Sequence, residues 1–196
     1  MAQPADISSL PPLTLSRSIV LVGLMGAGKS KIGKQLSLDF NVEFIDSDAV
    51  IEDVAGMDIP SIFELYGEAK FREIEAREIR RLIDGKPIVL STGGGAYIQE
   101  NTRAFINDKS LSVWLKAKPE TLANRISNTE TRPLLKGKNP EIVLRDLAAL
   151  REPLYAKAEL TIDTDGLALV KAMEKVKSTI TMHLMNEKPD EQVEIG

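Results

Sequence analysis

Residues 18–30 read SIVLVGLMGAGKS, an apolar run that passes into Gly23, Gly26, Gly28, Lys29 and Ser30 at the spacing G-x-x-x-x-G-K-[ST]. No other stretch restricts the fold as strongly. A loop of this kind turns backbone N–H groups inward around phosphate oxygens, so it needs a buried strand behind it and a helix starting near Lys29 in front. The helix contributes the positive end of its dipole. Lys29 can bridge the β- and γ-phosphates, and the Ser30 hydroxyl can ligate Mg²⁺. A plain glycine turn with a surface lysine would not need strand, spacing and helix to coincide.

Four more short apolar runs follow: VEFID (42–46), PIVLS (87–91), LSVWL (111–115) and LTID (160–163). Helical patterns separate them. The first runs from Lys29 to Phe40. The second is broken near Gly56 to Pro60 and again near Gly67 before reaching Ile83. Another lies between the third and fourth runs, one starts at Pro119, a long one ends near Ala158, and the last ends near Met185. Proline at a helix start is favoured because its missing N–H has no partner there anyway. Apolar strands alternating with helices predict an α/β domain, a parallel sheet covered on both faces. Residues 127–140, SNTETRPLLKGKNP, lack a core pattern and read as a mobile loop. Residues 1–16 and 186–196 read as flexible tails, which leaves a single domain over 17–185.

Composition removes several kinds of chemistry. There is no cysteine, so disulfides, thiolate nucleophiles and cysteine-bound zinc are excluded. The single histidine, His183, argues against a histidine metal cluster or a Ser-His pair. A net charge of −4 argues against coating nucleic acid, and no apolar run reaches the roughly 20 residues of a membrane span. The N-terminus lacks the basic and apolar regions of a signal peptide, so a cytoplasmic location is expected.

Phosphate loops serve GTPases, helicases and small kinases alike. An NKxD guanine-reading motif is absent, and the length of 196 residues favours a small kinase. The acceptor side is legible in three places. Asp46-Ser47-Asp48 closes the second strand, where a parallel sheet places its ligands. These aspartates can serve a metal and an attacking hydroxyl, or they can cap the helix that follows. On the helix EAKFREIEAREIRRLI, residues Ala69, Arg72, Ala76, Ile79 and Ile83 fall on one edge. An arginine on such a stripe needs an anion, either Glu75 one turn away or a carboxylate or phosphate of the substrate. Finally, the third strand ends not in an acid but in Ser91-Thr92 and then Gly93, Gly94 and Gly95. One glycine would satisfy a positive φ; three predict a close approach to the backbone by the acceptor.

Taken in order, VGLMGAGKSKIGKQL, FIDSDAVIE, FREIE, LSTGGG, TRPLL and REPLY resemble the shikimate kinases over about residues 17–165. The resemblance implies a P-loop kinase three-layer sandwich with strand order 2-3-1-4-5 and a mobile lid. It implies transfer of the ATP γ-phosphate to the 3-hydroxyl of shikimate, with ATP and Mg²⁺, in a monomer. By position, Gly26, Ala27, Gly28, Lys29, Ser30 and Lys31 match the nucleotide loop. Ser30 and Asp46 match the metal partners, and Asp48 matches the residue that holds ring hydroxyls and acts as base. Arg72, Glu75, Gly93, Gly94, Gly95 and Arg151 match the shikimate positions. Arg125 matches a residue near adenine, and Arg132 matches the lid arginine over the phosphates. Lys31 departs from the usual threonine, and the segment DTDGLALV lacks the prolines or basic residues found near adenine in some members. Two rivals remain: another small-molecule kinase of this fold, such as a gluconate kinase, and a non-catalytic ATP-binding module.

Overall fold

The computed structural model describes residues 14–126, 134, 135 and 137–187. Among them five strands form one sheet: β1 (Ser18–Val22), β2 (Glu43–Asp46), β3 (Ile88–Ser91), β4 (Ser110–Lys116) and β5 (Leu160–Asp163). Their order is β2-β3-β1-β4-β5, and every neighbouring pair is parallel, as the pattern and the resemblance predict. The central strand β1 is buried along its whole length, because helices cover both faces. Its sequence is accordingly a continuous apolar run rather than an alternating one. The edge strands β2 and β5 keep exposed positions.

The α-helices among the described residues are α1 (Lys29–Phe40), α2 (Ser47–Ala55), α3 (Ile59–Ile83), α4 (Glu100–Lys109), α5 (Pro119–Arg125), α6 (Pro140–Tyr155) and α7 (Leu169–Glu187). The Asp58 side chain accepts from the Ser61 N–H and starts α3. Within α3, Gly67 sits at φ 77°, which glycine adopts at little cost, and the helix kinks there.

Beyond the kink the buried face only partly matches the stripe read in the sequence, sharing Ile79 and Ile83 with it. Ala69 is exposed, and the buried residues beyond the kink are Phe71, Glu75, Glu78, Ile79, Leu82 and Ile83. The first turns of α3 pack on α2 rather than on the sheet. There Ile51, Ile62 and Phe71 form a second apolar cluster apart from the main core, with the Phe63 and Phe71 rings 4.7 Å apart.

Leu15 is buried in the main core, and α7 continues to Glu187. Of the expected lid, residues 127–133 and 136 lie outside the described residues, and Arg132 with them. Leu135, in a segment that shows no core pattern, is fully buried. One apolar residue in a loop has no period by which a sequence could announce it.

Candidate active site

The register of the sheet decides what meets at its carboxyl edge. Asp46 on β2 pairs with Ser91 on β3, and Ser91 pairs with Leu21 on β1. The last residue of β1 is one step from the phosphate loop, so the loop, the Asp46–Asp48 segment and the triple glycine share one rim. In the loop, Gly23, Gly26 and Gly28 all have positive φ. Gly23 and Gly26 are also constrained by packing. A Cβ at Gly23 would lie 2.8 Å from the Leu115 carbonyl, and one at Gly26 would lie 2.7 Å from the Leu122 carbonyl. Ala27 is buried, and Gly28 precedes α1 with no side-chain cap, which leaves the first N–H groups of α1 to an anion. The Lys29 ammonium donates to the carbonyls of Gly23 and Leu24 at 2.8 and 3.1 Å, so it lies folded over the loop. The Lys31 side chain is exposed on α1.

Asp46 caps the helix and also faces the phosphate loop. One carboxylate oxygen caps α2 by accepting from the Asp48 N–H at 3.1 Å. The other accepts from the Ser30 hydroxyl at 2.9 Å, and Ser30 in turn lies 3.4 Å from the Ser91 hydroxyl. Asp48 caps nothing. Its Oδ1 is buried and has no hydrogen-bond partner among the described residues. Burial pushes its pKa up, with the Asp46 charge adding to the rise and Lys29 opposing it.

Arg72 is met by carboxylates. It bonds Glu75 at 2.6 Å and Glu68 at 3.2 Å, so the intrahelical pair exists. That pair does not use up Glu75, which is 1% exposed and whose Oε1 has no partner among the described residues. Burial pushes the Glu75 carboxyl up to about 7; Arg72 pulls it down, and Asp48 raises it further.

These groups explain two of the three glycines. None of Gly93, Gly94 and Gly95 has a positive φ, so backbone conformation does not require them. A Cβ at Gly93 would lie 2.7 Å from Asp48 Oδ1 and 3.2 Å from Glu75 Oε1. A Cβ at Gly95 would lie 2.3 to 2.6 Å from the Arg72 guanidinium. The groups crowding the backbone are thus the site's own charged side chains. Gly94 differs: a Cβ there meets nothing nearer than Arg151 Nη1 at 3.4 Å. Its carbonyl accepts from Arg151 at 3.1 Å and from the Tyr155 hydroxyl. The Gly93 N–H donates to the buried Ser47 hydroxyl at 3.3 Å.

Arg125, at the end of α5, donates to the carbonyls of Thr164 at 2.8 Å and Leu167 at 3.2 Å and so ties α5 to the loop after β5. Lys29, Arg72 and Arg151 all act electrostatically on the Asp48–Glu75 pair, so three cations converge on an acidic chain's rim. Sequence reasoning missed Glu68, Ser91 and Tyr155 as members. Glu68 and Tyr155 stand one helical turn from Arg72 and Arg151, a spacing that signals a shared face. Ser91 becomes significant only through its register with Asp46.

The shikimate kinase family model matches residues 25–181. A shikimate kinase from Bradyrhizobium diazoefficiens is 46% identical over 172 residues, 88% of this chain and 83% of that protein. One from Ruegeria pomeroyi is 48% identical over 159 residues, 81% and 82% of the two chains. Among solved structures, shikimate kinase from Acinetobacter baumannii in complex with shikimate aligns at TM-score 0.80 and 39% identity, covering 88% of this chain and 94% of that one. A gluconokinase from Sinorhizobium meliloti aligns at TM-score 0.61 with 18% identity, covering 89% and 97%, which is a likeness of fold.

Proposed function

The chain belongs to the shikimate kinase family, and we infer that its residues move the γ-phosphate of ATP to the 3-hydroxyl of shikimate, yielding shikimate 3-phosphate and ADP. The observation that carries the division of labour is the buried, unpartnered oxygen of Asp48 beside Gly93. A buried acceptor with nothing to accept from is costly unless a ligand supplies the donor. A substrate hydroxyl supplies one, and the raised pKa of Asp48 makes its carboxylate the more ready proton acceptor. Arg72 and Arg151 hold the shikimate carboxylate, with Glu75 orienting Arg72 and Gly93 to Gly95 bringing backbone to the ring. The loop from Gly26 to Lys31 holds the phosphates, Lys29 stabilises charge that builds on them, and Arg125 borders the base. By its motif position, Arg132 is assigned to the ATP phosphates as the lid arginine.

Mg²⁺ fits this rim on chemical grounds. The donor set is all oxygen, from Ser30 and Asp46 with Ser91 beside them, and a hard cation takes oxygen ligands. Bound there, it would neutralise phosphate charge during transfer. No helix among the described residues is long and apolar enough to cross a membrane. A cytoplasmic monomer acting on a small molecule is the state proposed.

A coupled ADP-release assay with shikimate, with gluconate and with no acceptor tests the reading. Turnover should require shikimate. Asp48→Asn should lower it about a hundredfold or more, the range for a lost general base. Equal turnover on gluconate, or an Asp48→Asn variant at the wild-type rate, overturns it.

A further inference from the structure

The Gly94 carbonyl accepts two hydrogen bonds, from Arg151 and from Tyr155, and a carbonyl oxygen has two lone pairs to offer. The two donors lie one turn apart on α6 but differ in freedom. Tyr155 is 1% exposed, and its ring is packed between Tyr97 and Trp114, with centroids 6.4 and 5.9 Å away. Burial pushes its phenol up to about 12, so the hydroxyl keeps its proton throughout the neutral range. Arg151 is only partly buried and points along the rim toward Gly94.

In a trans peptide the C=O and N–H point in opposite directions. With the Gly94 carbonyl drawn toward α6, the Gly95 N–H is turned away from α6, and it has no hydrogen bond among the described residues. The orientation of that one peptide plane therefore decides whether a donor is offered to the rim.

We propose that Tyr155 is a positioning residue for the acceptor. Its hydroxyl holds the Gly94–Gly95 peptide in place, so that Arg151 can leave the Gly94 carbonyl for the acceptor's carboxylate without leaving that carbonyl unpaired. This rests on the shikimate reading, which gives Arg151 an anion to reach. Without the tyrosine hydroxyl, Arg151 would be the sole partner of this part-buried carbonyl, and its release would leave that group without a protein donor. The penalty would fall on acceptor binding and spare the nucleotide.

Steady-state kinetics on the full chain separate these roles. Tyr155→Phe should raise the KM for shikimate about three- to tenfold, the range of one hydrogen bond, with kcat and the KM for ATP nearly unchanged. Tyr97→Phe is the control, because it removes a hydroxyl bonded to Asn107 from the neighbouring buried ring. It should leave the KM for shikimate unchanged. A shikimate KM unaltered by Tyr155→Phe, an equal rise for ATP, or the same rise in Tyr97→Phe overturns the proposal. A second readout needs no folded variant. With 3-fluorotyrosine at the three tyrosines, the Tyr155 fluorine resonance should move on adding shikimate; a fixed resonance counts against the role. A wild type inert with shikimate overturns both this proposal and the reading beneath it, whereas an active wild type matched by Tyr155→Phe overturns the tyrosine's role alone.

Discussion

Glu75 and Asp48 each place a partnerless buried oxygen against the backbone of Gly93, among three cations. For Glu75 the outcome is a carboxyl raised to about 7, because burial outweighs the ion pair with Arg72. The folded chain then holds a proton that the unfolded chain has released, since an ordinary glutamate titrates at about 4.3. The resulting stability is fully present below the unfolded pKa and is lost as pH rises through the folded one. Calorimetric melts of the ligand-free protein should therefore fall between about pH 4.5 and 7.5, with Asp48 contributing in the same direction. Glu75→Gln mimics the protonated acid and should flatten that part of the profile. An unchanged slope in the glutamine variant would show that Glu75 is already ionised at low pH.

The start of α3, ahead of the turns that carry Arg72 and Glu75, is not anchored like the rest of the domain. The α2 helix and the start of α3 bury their apolar side chains on each other, around Ile51, Ile62 and Phe71, outside the main core. At the Gly67 kink, an added Cβ would find nothing within 4 Å, so no neighbour packs on that side of the chain. Few apolar contacts to the core mean a lower local opening energy. Amide exchange should therefore show α2 and the first half of α3 opening well before β1 and β3, and shikimate should slow them selectively. Exchange of α2 amides at the global rate, with or without shikimate, would mean that the sheet and this helix pair unfold as one unit. The two-residue spacing of Asp46 and Asp48 also acts at this scale. It places one carboxylate at the helix cap and the other two residues further, in the first turn, so a single helix start divides the metal and acceptor duties proposed for them.

At the scale of the whole molecule, Arg17 ties three distant parts of the chain together. Its guanidinium pairs with Glu159 before β5 and with Glu187 at the end of α7, each at 2.6 Å, while His183 lies 2.8 Å from Glu159. This cluster lies at the opposite end of the strands from the phosphate loop, since Arg17 precedes β1 and Gly23 follows it. Arg17→Ala should thus cost about 1 kcal/mol, a melting shift of roughly 2–4 °C, with kinetics on shikimate unchanged. High salt should shrink the difference. A loss of activity without a loss of stability would show that this end of the sheet communicates with the rim.

The sequence by itself determined the phosphate loop, the five strands, the breaks at Gly56 and Gly67 and the parallel α/β class. Each of these rests on residues close together in the chain, where spacing and glycine or proline chemistry are decisive. It also picked out Asp46, Asp48, Arg72 and the three glycines as candidates. Only the tertiary structure decided what those residues meet. Asp46 faces Ser30 and Ser91 because of strand register, and Tyr155 reaches Gly94 across 61 positions of sequence because α6 packs beside the rim. The burial that raises Glu75, the exposure of Ala69 and the burial of Leu135 come from the same source. Local spacing sets an element's type, whereas burial and charge depend on which other elements the fold packs against it.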